Sequence, residues 1–322
     1  MKRIIPLAAV AAAASVSLAA CSSGTLEAGT TTKVHDGAGL QAALQQAGPG
    51  ARIELEPGAY VGNFSTSAEG TSTDPITLEG PTTAVLQGGH SGYTLHLDGA
   101  SWWRLEGFSV YGGQKGVVLD ATDHTLLRDL HVSGTQNEGV HLRTASSDDT
   151  IDHLRIDHTG LGRAFFGEGV YIGSAVENWC ALSKCGPDRS DNDQVLNSTF
   201  GPDIGSQNID VKEGTTGGKI VGNSFSGVGS TASNAWVQVK GNDWVVEANR
   251  GHSTSDAGIQ VLNLAPGWGR TNVIESNVLL GPARGYGIWV QDGAINNVVG
   301  CSNQAPSFRS GLTNVACWSG RT

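Results

Sequence analysis

One four-residue pattern limits what this chain can fold into: glycine, apolar, any residue, apolar. It occurs as "GVVL" from Gly116, "GVHL" from Gly139, "GVYI" from Gly169, "GIQV" from Gly258 and "GIWV" from Gly287. "YTLHL", "NIDV" and "WVQV" fit it without the glycine. The first apolar residues are Leu95, Val117, Val140, Val170, Ile209, Val237, Ile259 and Ile288, mostly 22 to 30 residues apart. The long step, Val170 to Ile209, holds an insertion. A second pattern interleaves with the first: "WRLEGFSV", "TLLRDLHV", "DQVLNSTF", "GKIVGNSF", "WVVEAN" and "NVIESNV". Asn223, Asn249 and Asn277 take equivalent places in three of these copies.

Strands this short bury an apolar face only by stacking on the next copy, so the repeat predicts a solenoid. A propeller blade needs about 40–45 residues and four strands, nearly twice this period. A sandwich would not repeat in sequence. The expected fold is all-β, a right-handed parallel β-helix, with inward asparagines laddering along one turn. "DGAGLQAALQQAGPGARIELEPGAY" predicts a short amphipathic helix, about Gly39 to Gln46, that caps the open end of the solenoid.

The N-terminus reads as a targeting segment: a basic "MKR", an apolar run too short to span a bilayer comfortably, then "LAAC" ending at Cys21. It resembles a bacterial lipoprotein signal, which implies lipidation of Cys21 and an extracytoplasmic, membrane-anchored or secreted protein. The predicted divisions are a signal over 1–20, a flexible tether over 21–33 and a β-helix domain over 34–322. Four cysteines remain, an even number in an oxidising compartment. Cys180 and Cys185 are close enough to staple one loop, and Cys301 with Cys317 to pin the C-terminus. Zinc is the alternative, but no His or Cys spacing supports it. The formal net charge of −10 argues against a nucleic-acid partner, which needs a basic surface. An anionic partner would require positive charge concentrated locally.

Strand side chains alternate between faces, so the residues between the inward apolar ones form two outward columns. The first runs His96, Val118, His141, Tyr171, Asp210, Gln238, Gln260, Trp289; the second runs Asp98, Asp120, Arg143, Gly173, Lys212, Lys240, Leu262, Gln291. Lys212 and Lys240 are thus expected on adjacent coils, about 4.8 Å apart, both facing solvent. Adjacent ammonium groups repel, which lowers the pKa of one and suits it to act as a base, while Asp210 and Glu213 oppose the shift. Arg143, Gln238, Asp210 and an exposed Trp236 are the expected substrate-binding groups. Tyr171 and His141 are the candidate proton donors.

At these residues the chain resembles the β-helical polysaccharide lyases, especially the group containing alginate lyases and chondroitinase B. "NIDVKEGTTGGKIVGNSF" is similar to that group's lysine-base segment, "AWVQVKGNDWVVEAN" to its arginine segment and "GEGVYIGSA" to its earlier glycine-rich strand. The resemblance implies β-elimination in a uronic-acid polysaccharide, with Lys212 as base and Lys240 as its cationic partner. The chain departs from the group in two ways. Lysine stands at 240 in place of arginine, losing the planar fork. The group's acidic calcium ligands have no counterpart just before Lys212, where Gly205 and Gln207 stand. Calcium is the candidate cofactor, with Asp203, Asp210 and Glu213 as the available carboxylates. The expected partners are an acidic polysaccharide and, through the lipid anchor, a membrane; the protein itself is expected to be a monomer. Two rival functions follow from other features. Asp98 and Asp120, stacked on adjacent coils, have the spacing of a retaining glycoside hydrolase. A rigid, non-catalytic glycan-binding lipoprotein is the other, since fold does not decide function.

Overall fold

The computed structural model describes residues 29–320 together with Met1. The segment read as a targeting signal, with Cys21, lies outside the described residues. Nearly every element is a short strand, and every strand pairing is parallel. Three sheets of eleven, nine and nine strands run side by side. Apart from the first two strands of the eleven-stranded sheet, which are consecutive, hydrogen-bonded neighbours are three strands apart in sequence, which is the connectivity of a three-walled coil.

The register follows the repeat. Leu95, Val117, Val140, Val170, Ile209, Val237, Ile259 and Ile288 are successive Cα partners along one wall. All eight are fully buried, as are the second apolar residues of most copies. The insertion after Ile172 loops out and returns without shifting this register. One continuous apolar core therefore fills the tube.

The turn after the second pattern is local chemistry repeated. Gly222, Ala248 and Ser276 adopt left-handed φ values of 71°, 55° and 58°. Each is followed by a ladder asparagine. Asn223 N donates to Asn249 Oδ1 at 2.9 Å, Asn249 N to Asn277 Oδ1 at 3.0 Å and Asn277 N to Asn303 Oδ1 at 2.9 Å. The left-handed backbone costs about 1 kcal/mol at a non-glycine residue. Satisfying a buried N–H and a buried carbonyl in every coil offsets it. Asn303 extends the ladder one coil beyond the three asparagines legible in sequence. On a second corner the same slot is held by Asp149 and Asp193, then by Asn272 and Asn297.

A helix over Gly37–Gln46 closes the N-terminal end. It begins two residues before the expected start, because the Asp36 carboxylate accepts from Gly39 N at 2.7 Å and caps it. Leu40 and Leu44 are fully buried against the first coil. The first strand, Thr31–Val34, pairs with Arg52–Leu55, so residues assigned to the tether already belong to the sheet. Their own alternation explains this, since Val34 turns into the core. Disulfides join Cys180 to Cys185 and Cys301 to Cys317.

Replacing Asn249 with Leu strands Asn223 N and Ile220 O, which it satisfies at 2.9 and 2.8 Å. At about 1–3 kcal/mol per orphaned group, the expected loss is roughly 2–5 kcal/mol. Urea unfolding of Asn249→Leu checks this; an unchanged midpoint would show that the ladder contributes nothing.

Candidate active site

Strand Ile209–Val211 aims one side chain outward, Asp210, and its carboxylate is buried. The next residue on the chain is Lys212. Its backbone N–H donates to Ile172 O, and that of Lys240 donates to Val211 O, which sets the two lysines one coil apart. Both amines converge on the one carboxylate. Lys212 Nζ lies 2.9 Å from Asp210 Oδ2, and Lys240 Nζ pairs with Oδ1. Tyr171 is the Cα partner of Asp210 on the other side, and its ring centroid is 4.8 Å from Lys212 Nζ. These groups open onto a groove of about 530 Å³, also lined by Gln207, Gln238 and Glu168.

The lysines are not the solvated pair expected from their column. The Lys240 side chain is 3% exposed and that of Lys212 is 13%. An outward position on a strand is covered here by the insertion and by neighbouring coils. Burial pushes Lys240 down to about 8, Asp210 opposes this, and the Lys212 ammonium adds to it. For Lys212, burial pulls downward but Asp210 and Tyr171 outweigh it, and its pKa is raised. Asp210 is held below the ordinary carboxylate range: burial alone would raise it, and the two ammonium groups overcome that. Burial raises Tyr171, keeping its phenol protonated. Glu168 is pushed up to about 8 by burial, then by the nearby Asp210 and Glu138 carboxylates.

The remaining predicted residues divide. Gln238 lines the groove and donates from Nε2 to Gln260 Oε1 at 2.8 Å. His141 does not reach the groove. It is buried, with Nδ1 accepting from Lys115 Nζ at 2.7 Å and Nε2 donating to Gly173 O at 3.0 Å. Lys115 has only protons to give and the carbonyl can only accept, so one neutral tautomer is imposed. Burial, with Lys115 next, holds its pKa well below the usual value. Its ring meets Tyr171 edge-on, centroids 4.5 Å apart, and so it packs behind the phenol and is no proton donor itself.

Arg143 is not free for substrate either. Its Nε and Nη2 grip Asp120 at 2.7 and 2.9 Å, and Nη2 also reaches Tyr93. The same pairing occupies Asp120, which His96 and Thr144 also contact, so the stacked Asp98 and Asp120 do not form a hydrolytic pair. Trp236 is 1% exposed, a core residue. It stands where most copies have glycine, turns inward, and fills the space above Gly251 and Gly258, whose Cβ atoms would strike its ring at 2.5 and 2.8 Å.

The carboxylates considered for calcium do not converge. Asp203 is half exposed beside His158, 3.3 Å away. Asp210 is held by two amines, and Glu213 Oε1 accepts from Val176 N at 2.7 Å. Among the described residues no three His, Cys, Asp or Glu side chains cluster for a metal. That donor set does not fit a calcium site.

The insertion walls the groove through Ala175, Glu177 and Asn178. It is tied down by the buried Asp188, which accepts from Thr144 N, Ala145 N and the Ser174 hydroxyl. Trp179 packs within this loop, its Nε1 donating to Ser174 O, and does not line the groove. Three groove features were missed in sequence: Glu168, Gln207 and the exposed Phe165–Phe166 pair. A signal for the first two existed. Lys115, Glu138, Glu168 and Gln207 all stand two residues before the first apolar residue of their copies.

No protein-family model matches the sequence, and no curated protein does. Solved structures do. An alginate lyase from Paenibacillus sp. str. FPU-7 is 31% identical, with a TM-score of 0.82 over 88% of this chain and 99% of that one. The chain belongs to the family of this lyase. Pectate lyase Pel9A is 13% identical with a TM-score of 0.62, covering 86% of this chain and 73% of its own. A rhamnogalacturonan lyase is 11% identical with a TM-score of 0.55, covering 83% and 80%. These two share the fold. The protein is thus a β-helical, polysaccharide-lyase-like protein, and the groove described above is its candidate active site.

Two outcomes follow for stability. Asp120→Ala leaves the mostly buried Arg143 without its partner and is expected to cost about 3 kcal/mol by urea unfolding. The Asp120 carboxyl is held below its ordinary range: burial alone would raise it, but His96, Arg143 and Thr144 outweigh that. Its contribution is therefore present above roughly pH 4 and lost as the pH falls. Glu168 has the opposite sign, since its raised pKa makes the folded state keep a proton that the unfolded state has lost. Stability therefore falls between roughly pH 4.3 and about 8, and Glu168→Gln should remove that slope. Melting temperatures across this range, wild type against variant, check it; parallel curves would contradict the assignment.

Proposed function

We propose that the protein cleaves a uronic-acid-containing polysaccharide by β-elimination, with alginate the first substrate to test because the 31%-identical family member is an alginate lyase. The observation that carries this reading is the pair of amines sharing Asp210 beside Tyr171 in an open groove. The base takes the proton from the sugar carbon next to the carboxylate. Its electron pair forms a double bond to the adjacent ring carbon, whose bond to the linking oxygen breaks, and that oxygen receives a proton.

Lys212, the more exposed amine, is placed to take the carbon-bound proton. Lys240 is the amine that gives up its proton first, at about 8. Lys212 then holds the remaining proton, and the reactive form is the minor one in which that proton sits on Lys240 and Lys212 is neutral. When Lys212 takes the carbon-bound proton the cluster returns to two ammonium groups and one carboxylate, a net positive charge that favours the enolate developing on the substrate carboxylate, and the Gln238 amide adds a neutral donor. Tyr171 is the proton donor to the leaving oxygen, its phenol kept protonated by burial.

The reading extends to the location: lipidated at Cys21, the protein would work on polysaccharide outside the cytoplasm as a membrane-anchored monomer. Both disulfides suit an oxidising compartment. Among the described residues, no helix is long and apolar enough to cross a membrane. Cys21→Ser, which should release the protein from the membrane fraction, tests the anchor. Calcium enters no step above, and activity unchanged by a chelator is the expected result.

The test is a panel of alginate, pectate, glucuronan and dermatan, read by ultraviolet absorbance of the new double bond. Lys212→Ala and Tyr171→Phe should each lose about a hundredfold or more in kcat. The wild-type kcat/KM should rise with pH through a midpoint near 8 and level off above it, because the paired amines must first lose one proton. Reducing ends without the absorbance would mean hydrolysis, and glycan binding without either would mean a binding protein.

A further inference from the structure

The groove does not stop at the amines. It continues in both directions along the bank formed by the turns that lead into the strands of this wall. On one side a cavity of about 500 Å³ shares Phe166 with the central groove and runs past Gln136 and Gln114 to His90. On the other, a cavity of about 260 Å³ shares Asn234 with it and runs to Tyr286 and Trp289. The register sets the scale. Asp210, Gln238, Gln260 and Trp289 are successive Cα partners, so Trp289 lies three coils from Lys212 and two from Lys240, about 14 and 10 Å.

The two arms carry opposite chemistry. The first holds Arg163, whose guanidinium lies 5.9 Å from the Phe166 ring centroid, among neutral amides and hydroxyls, with no carboxylate in its lining. Phe165 and Phe166 are 69% and 41% exposed on the bank between this arm and the amines. The far arm holds Trp289 and Tyr286, the amides of Asn234 and Gln260, and the carboxylate of Asp256, with no lysine or arginine. An apolar ring beside a cation fits a uronate, with its flat face on Phe166 and its carboxylate toward Arg163. An aromatic floor beside a carboxylate fits a sugar ring with free hydroxyls and repels a second carboxylate.

We infer that the groove is polarised: Arg163 and Phe166 form a uronate subsite on one side of the amines, and Trp289 with Asp256 forms a subsite on the other that prefers an uncharged sugar. The substrate class is then a chain whose acidic residues need not be continuous, and on a uniformly acidic polymer Asp256 weakens the distal contact. This rests on the lyase reading for the direction of the reaction, but the binding asymmetry does not require elimination to occur.

Calorimetry in a Lys212→Ala background separates the two. Alginate oligosaccharides from dimer to octamer are compared with the same set after carboxyl reduction to neutral sugars. Arg163→Gln should weaken the intact set about tenfold at low salt, less in 0.5 M salt, and leave the reduced set unchanged. Asp256→Asn should tighten only intact oligomers long enough to reach Trp289, by about threefold or more. Trp289→Ala should weaken long oligomers of both sets about threefold to tenfold and spare short ones. The inference is overturned if Asp256→Asn leaves the longest intact oligomers unchanged, or if Trp289→Ala has no effect at any length. Double-bond formation by the unmodified protein is read separately, so a failed lyase reading does not obscure the result.

Discussion

Everything in this molecule depends on parallel coils stacking in one register. The backbone bonds between coils repeat a spacing of about 4.8 Å, and an inward residue in one copy meets its counterpart in the next. Eight apolar residues far apart in sequence thereby become one buried column. The cost is concentrated at the corners, where the chain must bend left-handed with residues other than glycine. The asparagine ladder answers it with two hydrogen bonds per coil from a single side-chain type. The same rule that aligns the core aligns whatever stands outside it, and that is how a lysine on one coil comes to lie beside a lysine on the next.

The site is a second consequence of that stacking, with a different balance of forces. Two ammonium groups and one carboxylate share a place poor in water. Removing either charge type alone would leave the others unpaired and buried, which is expensive. Together they retain one positive charge and one easily surrendered proton. Tyr171 is aligned by the same pairing, and behind it His141 is held neutral by burial and by the Lys115 ammonium. The polar stripe thus runs from chemistry at the groove to pure support beneath it. The insertion roofs the chemical end without disturbing the register, because it leaves and returns at one turn, anchored on Asp188.

Much of this was readable from residues. The period exposed the β-helix, alternation separated Ile209 and Val211 from Asp210, and equal offsets put Lys212 and Lys240 on neighbouring coils. Glu168 was readable in the same way, from its offset shared with Lys115, Glu138 and Gln207, but an isolated glutamate in a strand-forming run carries no sign that it will be buried. Trp236 was misread because aromatic residues beside an outward column look exposed; only the glycines at 251 and 258 leave room for it inside. Arg143 and Asp120 lie on adjacent coils in the same column, so their pairing was implicit, yet nothing local says that the guanidinium will be spent on a neighbour.

What the sequence by itself determined is therefore whatever depends on period and alternation: the fold, the inward and outward faces, and which residues share a column. What only the tertiary structure decided is which outward residues meet solvent and which charges cancel. Those depend on loops that cross from other coils and on side-chain reach in three dimensions, and the period contains neither.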